Sequence, residues 1–270
     1  MLEVVTVQRS FRDENDFIKN AKDLASQIHT VSPTVILFHE GVLGTYPITP
    51  EAGRKIAGEL HRVAASKKNL YFAYSLFEVK KNEGRRNLLA NRGYLITPEK
   101  HGTHGYLHYP KLLTYTEGTS LSRIDLEALK RVADWKHRTD LDLYIKDMHR
   151  RSQGVKGFPR LNIGGHEVSL KICLDSGTVL GQDIHPAMKS RRKSDLVIVP
   201  AKGLFPQPDY AFPEHIKQTV RPSGLVVVSD KDMGTLVVRP GKKDNLRLDA
   251  SRVSHEKPHE HGRIRVRHIK

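Results

Sequence analysis

A single cysteine, Cys173, stands in 270 residues, so no disulfide forms within the chain. Aromatic residues are scarce at 7%, and nowhere do they interleave with basic side chains. A base-stacking platform for single-stranded nucleic acid therefore has no sequence signature. No stretch of about 18 uninterrupted apolar residues occurs, which excludes an ordinary membrane-spanning helix. Acidic residues are outnumbered: 30 Asp and Glu face 45 Lys and Arg, leaving a formal charge of +15 with neutral histidines. Such a field draws nucleic acid or acidic partners nonspecifically and does not by itself define a site.

What is present is an alternation of strand and helix patterns. Composition does not shift along the chain, so a single domain over 1–270 is expected, with a basic, histidine-rich tail from about 254. Met1 to Val7 reads as a first strand rather than an export signal, and the free thiol fits a soluble protein of the reducing cytoplasm. Strands are expected at Val4–Gln8, Thr34–Phe38, Leu70–Val79, Arg86–Ile96, Tyr106–Tyr109, Asp195–Pro200, Gly224–Ser229 and Leu236–Arg239, with an edge strand at Arg263–Arg267. Helical spacing marks Asp13–His29 (Phe17, Ala21, Leu24, Ala25, Ile28) and Glu51–Lys68, which Pro50 introduces. Further helices are expected near Arg123–Trp135, Asp140–Arg150 and Pro213–Thr219. The turn 80–84 joins two successive strands without a helix, so the sheet should be mixed.

Three side chains follow apolar runs. Glu40 follows Thr34–Phe38, Lys111 follows Tyr106–Tyr109, and Cys173 lies in Lys171-Ile172-Cys173-Leu174-Asp175, read as the end of another strand. A carboxylate, an ammonium and a thiol make the set a thiol-dependent acyl-transfer enzyme needs. An ordinary thiol is only slightly ionised at neutral pH, so it requires a base. Glu40 supplies that base. Lys111 and the backbone N–H of Leu174 would stabilise the developing oxyanion. Asp175 fits local backbone hydrogen bonding at least as well as catalysis. His101, His104 and His108 precede Lys111 without the spacing of a helix-borne metal pair, and His255, His259 and His261 fit an exposed tail. No metal or cofactor is expected. Arg191-Arg192-Lys193 reads as a solvated turn.

The blocks Phe38-His39-Glu40-Gly41-Val42-Leu43-Gly44-Thr45-Tyr46-Pro47, Asn87-Leu88-Leu89 through Gly93-Tyr94 to Tyr109-Pro110-Lys111, and Lys171-Ile172-Cys173-Leu174-Asp175 occur in that order. Together they resemble the nitrilase superfamily of carbon-nitrogen hydrolases. The resemblance implies an α/β fold, a four-layer α-β-β-α sandwich with two mixed sheets, paired into dimers or higher homo-oligomers. It implies catalysis by Glu40, Lys111 and Cys173 through a thioester. Glu117 would be a second glutamate beside the lysine, and Tyr46 and His108 are candidate substrate-binding residues. The stretch from Lys111 to Cys173 is longer than the family's usual one, so about 119–160 is expected as an inserted helical segment. The family's arginine-alanine and glutamate-asparagine pattern is missing around Val220–Asp232. The expected function is hydrolysis of a non-peptide carbon–nitrogen bond in a small amide. Nitrile or N-carbamoyl hydrolysis and amide-forming acyl transfer are alternatives on the same site. A catalytically silent basic scaffold that binds nucleic acid or an acidic partner is the alternative of another class.

Overall fold

The computed structural model describes residues 2–28, 31–44, 48–80, 88–101, 104–110, 158–172, 193–201, 219–231, 234–239, 247–248 and 261–266. Two mixed sheets of six strands carry the fold. In the first, β1 (Leu2–Val7), β2 (Thr34–Phe38) and β3 (Leu70–Lys80) run parallel; β4 (Leu88–His101) and β5 (His104–Pro110) follow antiparallel. The second takes β6 (Arg160–Ile163), β7 (His166–Leu170), β8 (Ser194–Ala201), β9 (Val220–Asp230), β10 (Gly234–Arg239) and β11 (Arg247–Leu248), with β7, β8 and β9 parallel at its centre. The last strand, β12 (His261–Val266), returns to pair antiparallel with β1. Part of the expected tail is therefore the edge of the first sheet.

Period-two alternation sorts the first sheet's side chains between two cores. Val4, Val35, Leu37, Ala73, Leu95 and Tyr109 face inward onto Val168, Leu170, Leu196, Ile198 and Val227 of the second sheet. Val5, Ile36, Phe38, Phe72, Tyr74 and Ile96 face outward, beneath α1 (Glu14–Gln27) and α2 (Pro50–Lys67). Both faces of β2 are covered, which is why its sequence is continuously apolar. The described residues thus give three layers of the expected sandwich. The expected helices at 123–135, 140–150 and nearly all of 213–219 lie outside them.

Both helices begin on side-chain caps. Asp13 accepts from the Asp16 N–H at 2.9 Å, and Thr49 accepts from the Ala52 N–H at 3.2 Å ahead of Pro50. On α1 the apolar stripe buries Phe17, Ile18, Ala21 and Ala25, and the Phe17 ring meets Phe38 edge-on at 5.0 Å. Each such large side chain contributes roughly 1.5–3 kcal/mol on leaving water.

The second sheet departs from expectation in one place. Gly164 and Gly165, both at positive φ (58° and 84°), close a tight hairpin of β6 and β7. Two successive positive φ values suit the turn that matches strand twist, and glycine adopts them freely. Regular pairing of β7 with β8 stops at Leu170, so the strand lies before Lys171-Ile172 instead of ending on Cys173. Phe158 and Arg160, at the end of the expected insertion, belong to the sandwich: Phe158 is buried in its core and Arg160 opens β6.

Candidate active site

Direction within the sheets selects one end of the sandwich. Because β1, β2 and β3 are parallel and β5 is antiparallel to β4, the chain leaves β2, β3 and β5 at the same edge. The chain leaves β7, β8 and β9 at a common edge of the second sheet. Two hydrogen bonds join the two edges: the Glu40 N–H donates to the Ala201 carbonyl at 3.2 Å, and the Ile172 N–H to Tyr109 Oη at 2.5 Å. Within the second sheet the Lys231 N–H donates to the same Ala201 oxygen at 3.1 Å. The carboxyl ends of strands are where open α/β sheets place ligands.

Glu40 sits in this junction with 6% of its surface exposed. The turn that holds it needs Gly41. That residue has φ +64°, its N–H donates to Ser75 Oγ at 3.0 Å, and a Cβ there would come within 2.7 Å of the Phe77 ring. Asn91 on β4 donates from Nδ2 to Glu40 Oε1 at 2.5 Å and fixes the carboxylate's orientation. His39 braces the turn from behind, with its ring nitrogens 2.8 Å from the Glu40 carbonyl and 3.0 Å from the Arg9 carbonyl. Burial holds its pKa below the usual histidine value.

The inward face of β4 and β5 brings the second sheet close. Gly93 pairs with Tyr109, and a Cβ on Gly93 would lie 3.0 Å from Ile172 and 3.1 Å from the Tyr109 ring. A glycine there lets Ile172 seat against β4. The Tyr109 ring meets Phe158 edge-on at 5.5 Å, and the buried Lys171 places Nζ 4.7 Å from the Phe158 centroid. Replacing Tyr109 by phenylalanine removes the acceptor of a buried N–H. The expected cost is about 1–3 kcal/mol, read as a lower midpoint in chemical denaturation.

Of the residues singled out by sequence, Glu40 lies in the junction. Tyr46, Lys111, Glu117, Cys173 and Leu174 lie outside the described residues, but Pro110 and Ile172, neighbours of Lys111 and Cys173 in sequence, both belong to it. His108 does not. Alternation turns it to the outward face, opposite to Tyr109, where Arg92 Nη1 donates to its Nδ1 at 2.8 Å. That ring nitrogen is therefore an acceptor and the imidazole neutral. Partial burial of its ring, followed by Arg92, His104 and Arg54, pushes its pKa down to about 4. His108 belongs to a network under α2 in which Arg92 Nε and Tyr94 Oη both donate to the buried Glu78 carboxylate, Arg92 at 2.9 Å. The sequence reading also missed Asn91, whose one available signal is a polar residue facing inward in the run Leu88-Leu89-Ala90-Asn91. Among the described residues no three His, Cys, Asp or Glu side chains gather as metal ligands, and no helix is long and apolar enough to cross a membrane.

No protein-family model matches the sequence, and no curated protein sequence matches it. Solved structures do match in fold. A cysteine-to-alanine mutant of the Nesterenkonia AN1 amidase from the nitrilase superfamily superposes with TM-score 0.55 at 16% identity, covering 88% of this chain and 83% of that one. The chain has the nitrilase-superfamily fold. A glutamate-to-leucine mutant of the Nesterenkonia amidase, which carries the acetamide moiety of fluoroacetamide on its active-site cysteine, gives 0.54 at 17% identity over 88% and 83%. The same amidase after removal of its tag gives 0.54 at 17% over 89% and 86%. In the nitrilase fold of this chain, the junction that holds Glu40 is the end from which Lys111 and Cys173 continue.

Proposed function

We propose that the protein is a nitrilase-superfamily enzyme, a cysteine-dependent hydrolase of a carbon–nitrogen bond in small amides. The observation that carries this reading is the meeting of three chain ends in one junction: Glu40 itself, Pro110 before Lys111, and Ile172 before Cys173. A buried carboxylate oriented by an amide N–H is suited to moving protons rather than to solubility.

The chemistry divides into two steps. Glu40 takes the Cys173 thiol proton as sulfur attacks the carboxamide carbon. Negative charge gathers on the former carbonyl oxygen, where Lys111 and the Leu174 N–H receive it. Loss of one such donor typically costs about 3–4 kcal/mol of transition-state stabilisation. Collapse breaks the C–N bond, Glu40 delivers its proton to nitrogen, and ammonia or an amine leaves a thioester on Cys173. Water then attacks the thioester while Glu40 takes its proton; the C–S bond breaks, the acid departs and the proton returns to sulfur. Glu117 holds Lys111 in place, and Tyr46 lines the substrate. The enzyme works as a homodimer or higher homo-oligomer in the cytoplasm, and its +15 charge gives it salt-sensitive, nonspecific contact with nucleic acid.

Intact-protein mass spectrometry during incubation with a panel of short amides, and with fluoroacetamide, tests the proposal. The expected result is an acyl adduct from the short amides and an acetamide adduct, formed with loss of fluoride, from fluoroacetamide, both confined to Cys173. A thiol that reacts no faster than free cysteine with iodoacetamide and gains no acyl mass would reject the enzyme in favour of a basic scaffold.

A further inference from the structure

The Asn91 amide is used on one side only. Its Nδ2 donates to Glu40 Oε1 at 2.5 Å, which fixes the orientation of the group, since a carboxylate oxygen accepts and the Asn91 oxygen cannot donate. Its Oδ1, on a residue 8% exposed, meets no hydrogen-bond donor. A buried carbonyl without a donor is costly, and in a native fold such an atom calls for an explanation, of which a partner brought by the substrate is one. The covalent geometry of one amide sets this acceptor beside the carboxylate oxygen that the same side chain holds.

We propose that Asn91 is a substrate-binding residue that selects primary carboxamides: its Oδ1 accepts an N–H of the scissile –CONH2 and holds that nitrogen next to Glu40. This rests on the amidase reading and deepens it. In the acylation step the S–C bond forms, the C–N bond breaks, and Glu40 passes the thiol proton to a nitrogen already anchored by Asn91, which departs as ammonia. An ester of the same acid has no N–H to offer. It gains nothing from Oδ1 and leaves the carbonyl unpaired when bound. Other buried atoms without partners, Tyr74 Oη, His101 Nε2 and Ser194 Oγ, are not joined to Glu40 by any such bond.

The test compares propionamide with methyl propionate on the wild type, Asn91→Ala and Asn91→Asp, with Cys173 acylation followed by mass in every case. Loss of the Nδ2 bond disturbs Glu40 and slows both substrates; loss of Oδ1 slows the amide alone. Asn91→Ala is expected to lower the amide-over-ester ratio of kcat/KM by about tenfold, the value of one lost hydrogen bond. Asn91→Asp keeps an acceptor oxygen at the same place and is expected to keep the ratio while both rates fall. Equal losses on both substrates in Asn91→Ala, or a collapsed ratio in Asn91→Asp, would overturn the proposal and leave the amidase intact. So would a wild type that takes N,N-dimethylpropionamide, which has no N–H, as readily as propionamide, a comparison that needs no variant to fold. A wild type that is acylated by none of these substrates removes the amidase reading itself, and the role of Asn91 with it.

Discussion

Cys173→Ala is expected to leave no amide turnover above background, and Glu40→Gln to lower kcat/KM by about 10²–10⁴. The first removes the only atom able to form the thioester. The second keeps the shape and the hydrogen bond from Asn91 Nδ2, since a glutamine oxygen also accepts, so the backbone bond from Glu40 to Ala201 and the packing around Gly41 should survive. What disappears is a group able to take a proton. Both steps need it, but fluoroacetamide presents a second, more reactive carbon to sulfur. Glu40→Gln is therefore expected to slow amide hydrolysis by that factor while still accepting mass from fluoroacetamide at Cys173, and Cys173→Ala to accept none. The decisive measurement is turnover and adduct mass on the same samples, with unfolding curves confirming both variants folded. Glu40→Gln at wild-type turnover would remove the carboxylate from the mechanism.

Local pattern and long-range register were not equally legible. The helical stripe from Phe17 to Ile28 located α1 to within two residues, and Thr34–Phe38 is observed over its expected bounds, because periodicity and capping are written into consecutive residues. β6 was missed. Arg160-Leu161-Asn162-Ile163 is a short edge strand, mostly half-exposed, and its glycine-rich surroundings resemble loop. The alternating Arg263–Arg267 was expected at an edge, yet only pairing shows that the edge belongs to β1, far away in sequence. The face assignment was the costliest omission. Neighbouring residues on a strand point oppositely, and a shift of one position exchanges core for exterior. Sequence placed His108 beside the substrate; register put Tyr109 toward the second sheet and His108 under α2. The same rule brought Asn91 to Glu40 and sent Arg92 outward.

That outward position of Arg92 carries the largest expected effect on stability. Glu78 is 2% exposed, and burial raises its carboxyl pKa above the usual range; the Tyr94 hydroxyl and the Arg92 guanidinium pull it back. Arg92→Met leaves the buried carboxylate with the tyrosine but without its cation. Breaking a buried pair from one side costs about 3–5 kcal/mol, and because the Arg92 side chain is 26% exposed the lower end applies. The sign with pH follows from the raised carboxyl. In the folded variant Glu78 titrates still higher than in the wild type, whereas in the unfolded chain it titrates normally, so between those two values the folded state holds the extra proton. Unfolding then becomes easier as pH rises through that window, and the deficit is fully developed above the folded pKa. At pH about 4, near the unfolded value, both states are largely protonated and the deficit should shrink. His108 also gains its proton at about 4, facing Arg92, and the resulting repulsion weakens only the wild type, which narrows the gap further. A His108→Gln background removes that contribution. Denaturation midpoints of Arg92→Met and its parent across the acidic to neutral range, in both backgrounds, are expected to diverge with rising pH. A gap that is constant, or that widens on acidification, would mean that Glu78 is not carried as an ion held by Arg92.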